Sequence, residues 1–168
     1  EKAGPSLVIV LHAGAVVLAF ALLVPVARRW AGNVSTALTL LLSTWLLAPL
    51  FNVGPTLLIL PIAAAFILVL ATARRQWMAW AVLLPLQILW SNLHPIFFLG
   101  PVLCALFAAE ALWQERRQSS ARSPSTGRRG VMLLGLTAAC AAVALINPYG
   151  LDAYRAAWRT SLHPGNQL

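Results

Sequence analysis

The chain has 168 residues, 60% of them hydrophobic and only 10% charged, with mean hydropathy +0.80. A soluble domain carries about 25% charged residues, so this composition argues against a soluble globular class. The net charge of +8 and pI near 11.4 would suit nucleic acid only with a basic face and aromatic or polar base readers. Here the arginines stand at the ends of apolar runs, so no nucleic-acid partner is expected and the implied partner is the lipid bilayer.

A helix needs ~20 apolar residues to cross a ~30 Å hydrocarbon layer, and these runs lack the alternation of barrel strands. The expected fold class is all-α, a polytopic transmembrane helix bundle of about six spans plus a short C-terminal interfacial helix. The first span is about 7–26, closed by Arg28, Arg29 and Trp30, a basic pair and a ring suited to a membrane interface. The second covers about 34–50, and Phe51-Asn52-Val53-Gly54-Pro55 makes an uncharged turn. The third, about 56–72, ends at Arg74 and Arg75.

The fourth run, about 77–89, is short and contains Pro85, which predicts a kinked or tilted crossing. Trp90-Ser91-Asn92-Leu93-His94-Pro95 reads as the next turn, and the fifth span occupies about 96–113. Residues 114–130, rich in Ser, Arg, Pro and Gly, read as a polar loop without an apolar face to bury. The sixth span, about 131–146, ends at Asn147-Pro148-Tyr149-Gly150. Beyond it, Leu151, Tyr154, Ala157 and Trp158 recur at helical spacing, predicting an amphipathic interfacial helix over about 151–161.

Charge orients the bundle. Arg28, Arg29, Arg74, Arg75, Arg116, Arg117, Arg122, Arg128 and Arg129 fall on one side, against Lys2, Arg155 and Arg159 on the other. The arginine-rich side is therefore expected to be cytoplasmic, with both ends of the chain outside. Dropping the fourth span would put Arg74 and Arg75 opposite the 114–130 loop, so the charge pattern itself calls for six. The two inside-to-outside crossings that end in Asn52-Val53-Gly54-Pro55 and Asn92-Leu93-His94-Pro95 echo each other weakly, as chance allows in so apolar a sequence. The chain opens with Glu1, and its first apolar run has neither a basic n-region nor a cleavage site, so an internal piece of a longer membrane protein is expected.

This orientation gathers Asn52, Asn92, His94, Asn147, Tyr149, Asp152 and Tyr154 on the outer side. His94 has the most versatile side chain of these, as acid, base or ligand; its bland role is a hydrogen bond to a neighbouring helix end. Asp152 is placed to pair with Arg155 at i, i+3. Arg155 and Arg159, four apart, could clamp a phosphate or anchor to anionic headgroups. Glu110 reads as a snorkelling or paired charge near Arg116 and Arg117. His12, His94 and His163 lack the clustering a metal site needs, so no metal is expected in these residues. No cofactor is expected, although a divalent metal in a longer protein stays open. Cys104 and Cys140, inside apolar runs, read as small buried hydrophobes. Asn33-Val34-Ser35 matches a glycosylation acceptor but falls on the cytoplasmic side.

Trp90-Ser91-Asn92-Leu93-His94-Pro95 with Phe97-Phe98-Leu99-Gly100, and Leu145-Ile146-Asn147-Pro148-Tyr149-Gly150-Leu151, resemble segments of a group of bacterial multi-pass proteins carrying W-x-N-L-H-G and N-P-Y-G motifs. That group looks like the GT-C superfamily of membrane glycosyltransferases. The resemblance spans about residues 45–160. It implies a membrane portion of such an enzyme in the cell inner (plasma) membrane, using a polyprenyl-phosphate-linked sugar at the outer face. Asn92, His94, Asn147 and Tyr149 would then position polar groups, with Arg155 and Arg159 as phosphate partners. Pro95 stands where the group has Gly, and Gly54-Pro55-Thr56 where an Arg-Pro-Gln type segment is common, which weakens phosphate binding there. The acidic catalytic residue of GT-C enzymes sits on a large outer loop that these residues do not contain, so catalysis would be carried upstream. The competing readings are a transporter or flippase-like bundle, suggested by Pro25, Pro49, Pro61, Pro85 and Pro101 with Ser43, Thr44 and Gln87 as midplane polar groups, and a non-catalytic membrane subunit.

Overall fold

The computed structural model describes residues 3–30, 32, 33, 36, 59–73, 75–118 and 128–162, and among these there are helices and turns but no strand. The all-α expectation holds for them. The second span apart from residue 36, the turn at 51–55, residues 56–58 of the third span, Arg74, residues 119–127 of the polar loop and His163 lie outside the described residues. The chain divides into two compact units, Glu1–Thr72 and Ala73–Leu168.

In the first unit, α1 (Ala3–Trp30) packs against α2 (Ile59–Thr72). Helix α2 buries Ile59, Ile62, Phe66 and Leu70 along one side, the spacing of a single helical face. Ala15 and Ala19, one turn apart on α1, are also buried, and small residues of this kind let backbones approach closely. The two helices run in the same direction, because Arg29 Nη1 near the end of α1 donates to the Ala71 carbonyl at the end of α2 over 2.7 Å. That bond satisfies a carbonyl in the last turn, where a cation also complements the helix dipole. Helix α1 is longer than the expected 7–26, since Arg28 and Arg29 serve as its last turn rather than ending it.

The second unit contains α3 (Gln76–Leu93), a 3-10 helix (Pro95–Phe98), α4 (Leu99–Gln118), α5 (Arg128–Val143) and α6 (Leu151–Leu162). Helix α3 runs through Pro85 and past the expected end at 89. Residues 90–93, read as a turn from their polarity, are helical, and two of their side chains bond back to the preceding turn. Ser91 Oγ and Asn92 Nδ2 both donate to the Ile88 carbonyl, at 2.9 and 2.8 Å. The helix stops where Pro95 excludes the α conformation for the residue before it, and His94 is accordingly extended at φ −155°, ψ 141°.

Helix α4 also outruns its expected end at 113, and α5 begins at Arg128, so the 114–130 loop is shortened at both ends. Side-chain pairs one turn apart carry α4 onward. Gln114 Nε2 donates to Glu110 Oε1 at 3.0 Å, and the Arg117 guanidinium lies 4.9 Å from the centre of the Trp113 ring. Glu115 Oε1 then accepts from the Gly130 backbone N–H at 3.2 Å, placing a carboxylate at the positive end of α5. Leu112 and Glu115 thus meet Gly130, so α4 and α5 are antiparallel. Trp80 lies against Gly135, and Asn92 Nδ2 reaches the Ile146 carbonyl at 3.0 Å, so α3 and α5 run the same way. Cys104 and Ala108 of α4, Leu136 and Cys140 of α5, and Ala144 just beyond α5 are fully buried.

Two helical stretches, Ile9–Arg29 and Pro95–Arg117, are long and apolar enough to cross a membrane; Ile59–Thr72 and Arg129–Val143 are apolar but shorter. Among the described residues, membrane-crossing length is therefore met twice rather than at each expected span. The sixth expected span, 131–146, loses its last turn because Leu145 and Ile146 tighten into 3-10 bonds, to Ala142 and Val143, before Pro148.

Candidate functional site

The alternating directions of α3, α4 and α5 sort the second unit into two ends. One end carries Arg75, Arg116, Arg117 and Arg129. The other gathers the end of α3, the 3-10 helix, the end of α5 and the start of α6, and all six sequence-predicted site residues belong to it or to α6.

Asn92 joins two of these elements, because its one amide group donates both to Ile88 in its own helix and to Ile146 beyond α5. His94 caps the 3-10 helix: its Nδ1 accepts from the Ile96 N–H at 3.1 Å. An accepting Nδ1 places the neutral ring's proton on Nε2. Asn147 organises the N-P-Y-G turn by donating to the Ala144 carbonyl at 2.6 Å and accepting from the Tyr149 N–H at 2.8 Å. Gly150 completes the turn with φ +49°, a left-handed conformation that suits glycine. These three polar residues hold architecture first.

Tyr149, Arg155 and Arg159 face outward instead. Tyr149 is 75% exposed. Arg155 Nη1 pairs with Asp152 Oδ1 at 2.8 Å, as the i, i+3 spacing predicts, with both side chains largely exposed. Such an exposed pair contributes little to stability. Arg159 sits one turn further along α6 and is also exposed. The outward set is thus a phenol and two guanidiniums, able to donate to an anionic oxygen. Asp152 is the carboxylate beside them, and no second acid completes an acid and base pair among the six.

Sequence reading missed the role of Tyr154. Its hydroxyl donates to the Ala141 carbonyl at 2.6 Å, and its ring meets Phe97 edge-on with centroids 4.9 Å apart at 85°. In an uninterrupted helix the Ala141 carbonyl would accept from Leu145, but Leu145 bonds to Ala142. Tyr154 satisfies the carbonyl left over. The expected apolar stripe of α6 is therefore divided: Leu151 and Trp158 remain exposed, while Tyr154 turns into the bundle. A phenol within an otherwise apolar stripe was the available signal, since a partly buried Tyr O–H usually finds a partner. Burial raises the Tyr154 phenol above its ordinary value, and the nearby Cys140 adds to this.

Gln87, one turn before Ser91, is fully buried and donates from Nε2 to the Phe97 carbonyl at 3.0 Å, while its Oε1 is buried without a hydrogen-bond partner. Among the described residues no group of three or more His, Cys, Asp or Glu could hold a metal ion.

Burial lowers the His94 imidazole below its ordinary value. A folded value below the unfolded one means folding releases a proton, so this contribution is fully present above about pH 6.5 and is lost as pH falls through the folded value. Thermal unfolding from pH 8 to 5 should show a declining midpoint on the acid side. The decline should shrink in His94→Asn, whose side-chain oxygen can still cap Ile96; an equal decline in both proteins would assign the acid sensitivity elsewhere. Comparison of the chain with protein-family models, curated proteins and solved structures gave no match.

Proposed function

We propose that the chain is the membrane portion of a GT-C-like glycosyltransferase that holds a polyprenyl-phosphate-linked sugar at the outer face of a bacterial inner membrane. Its topology would be six crossings with the arginine-rich ends cytoplasmic and both ends of the chain outside. The observation that carries the reading is the sorting of the second unit: arginines at one end, polar turns and α6 at the other. Helix directions support it too. The proposed topology sends α1 and α2 toward the same face, and they lie parallel; it makes α3 and α5 parallel with α4 opposed, as they are. Lipid-facing surface accounts for the large apolar side chains exposed along α1, Leu7, Ile9, Val10, Leu11, Val17 and Leu18.

In this reading Asn92, His94 and Asn147 shape the outer end. Tyr149, Arg155 and Arg159 meet the carrier's phosphate, the two arginines through charge-assisted hydrogen bonds. The general base for the acceptor hydroxyl comes from another part of the full protein. The test is sugar transfer from a polyprenyl-phosphate donor in membranes containing the full protein with Arg155→Ala and Arg159→Ala together. The exposed positions leave folding intact, so KM for the donor should rise about tenfold or more, the scale of a lost charged hydrogen bond. Unchanged transfer would remove both arginines from the site, and no transfer by the unaltered protein would end the reading.

One observation favours a transporter or flippase-like bundle: the buried Gln87 with its unpartnered Oε1, an uncompensated polar atom of the kind that can line a passage. Carrier movement across sealed vesicles that is abolished in Gln87→Leu, without sugar transfer, would select it.

A further inference from the structure

The sequence separates Cys104 from Cys140 by a long polar stretch, yet the fold brings them together. Three observations do so. Gly130 on α5 packs on Leu112 and Glu115 of α4, and moving about three turns along each antiparallel helix from that contact reaches Cys104 on one and Cys140 on the other. Both side chains are fully buried on the packed faces. The two thiol groups are close enough to interact with one another. Ala108 and Ala144, one turn beyond Cys104 and Cys140, are also fully buried, and small residues of this kind allow the close backbone approach that a bridge between helices requires.

We propose that Cys104 and Cys140 form a dithiol site that a small apolar disulfide converts to an α4–α5 disulfide by thiol–disulfide exchange. An apolar reagent is the suitable class because both cysteines are fully buried, while Val102 and Leu106, on either side of Cys104 in the chain, are exposed. In the first step one cysteine, as thiolate, attacks a sulfur of the reagent, breaks its S–S bond and releases one thiol. In the second, the other cysteine attacks the mixed disulfide, forms the protein S–S bond and releases the second thiol. The protein loses two electrons and two protons, and the reagent gains both in its two thiols. The bond would form beside the seat of α6, since Ala141, which accepts from Tyr154, follows Cys140 directly. Oxidation would thereby fix the α4–α5 hairpin next to the polar end. This inference does not depend on the sugar-transfer reading.

The full chain in detergent micelles is treated with 4,4′-dithiodipyridine, and the intact mass is measured with and without prior unfolding. The folded protein should lose the mass of two hydrogens and carry no pyridyl group, reversibly with dithiothreitol. Cys104→Ser and Cys140→Ser should each retain one stable pyridyl adduct on the remaining cysteine. Two adducts on the folded unaltered chain, a disulfide between two copies, or thiols that react only after unfolding would each overturn the proposal.

Discussion

Phe97→Ala should destabilise the second unit by about 3–5 kcal/mol, the range for truncating a buried aromatic side chain. Phe97 is 1% exposed and stands where three elements meet. Its backbone carbonyl accepts from Gln87 of α3, its ring receives Tyr154 of α6, and the 3-10 helix it belongs to leads into α4. Truncation empties the place that Tyr154 packs against, so α6 should loosen before the rest of the unit unfolds. Equilibrium unfolding in micelles gives the total, and hydrogen exchange of the α6 backbone amides reports that helix separately. A cycle with Tyr154→Ala should show a coupling of about 0.5–1.5 kcal/mol, as for an edge-on aromatic pair. A loss below about 1 kcal/mol for Phe97→Ala would mean that the site collapses readily and that the 3-10 helix is not an anchor.

Gly130→Val tests the α4–α5 contact from the opposite direction, by adding atoms. A Cβ at this position would lie 2.5 Å from Leu112 Cδ2 and 2.6 Å from its Cγ, with Glu115 Oε2 at 3.2 Å. A branched side chain leaves Leu112 little room to turn aside, and the shift would also strain the Glu115 bond to the residue's own N–H. Overpacking of this kind costs about 1–3 kcal/mol. The pairing of cause and position is checked with Leu112→Ala, which should restore much of the loss in the Gly130→Val background. If it restores nothing, the clash is not with Leu112.

Helical class, the arginine ends, the Asp152–Arg155 pair and the extent of α6 were legible because each depends on neighbours within a turn or two. The ends of α3 and α4 were not. Ser91 and Asn92 look like turn residues in a string of letters, but one Ile88 carbonyl, available only on a helix already formed, holds both. Glu115 appeared as one acid among few, and its bond to Gly130 required the chain to return. Tyr154 had the same difficulty: its partner is a carbonyl freed by tightening at the end of α5. The candidate residues were placed at one end by charge and spacing. Which of them build that end and which face outward depended on side-chain bonds that no local pattern contains.

The N-P-Y-G turn has a consequence for how α6 meets whatever lies beyond the bundle. Asn147 closes the turn on itself, Gly150 takes a backbone rotation of one hand, and Tyr154 ties the helix down one turn later. The heading of α6 is thus determined during folding, so the orientational entropy of aiming Leu151, Arg155 and Trp158 is lost before any encounter. A free peptide of the same sequence would lose that freedom only on contact, and would bind more weakly for the same side chains.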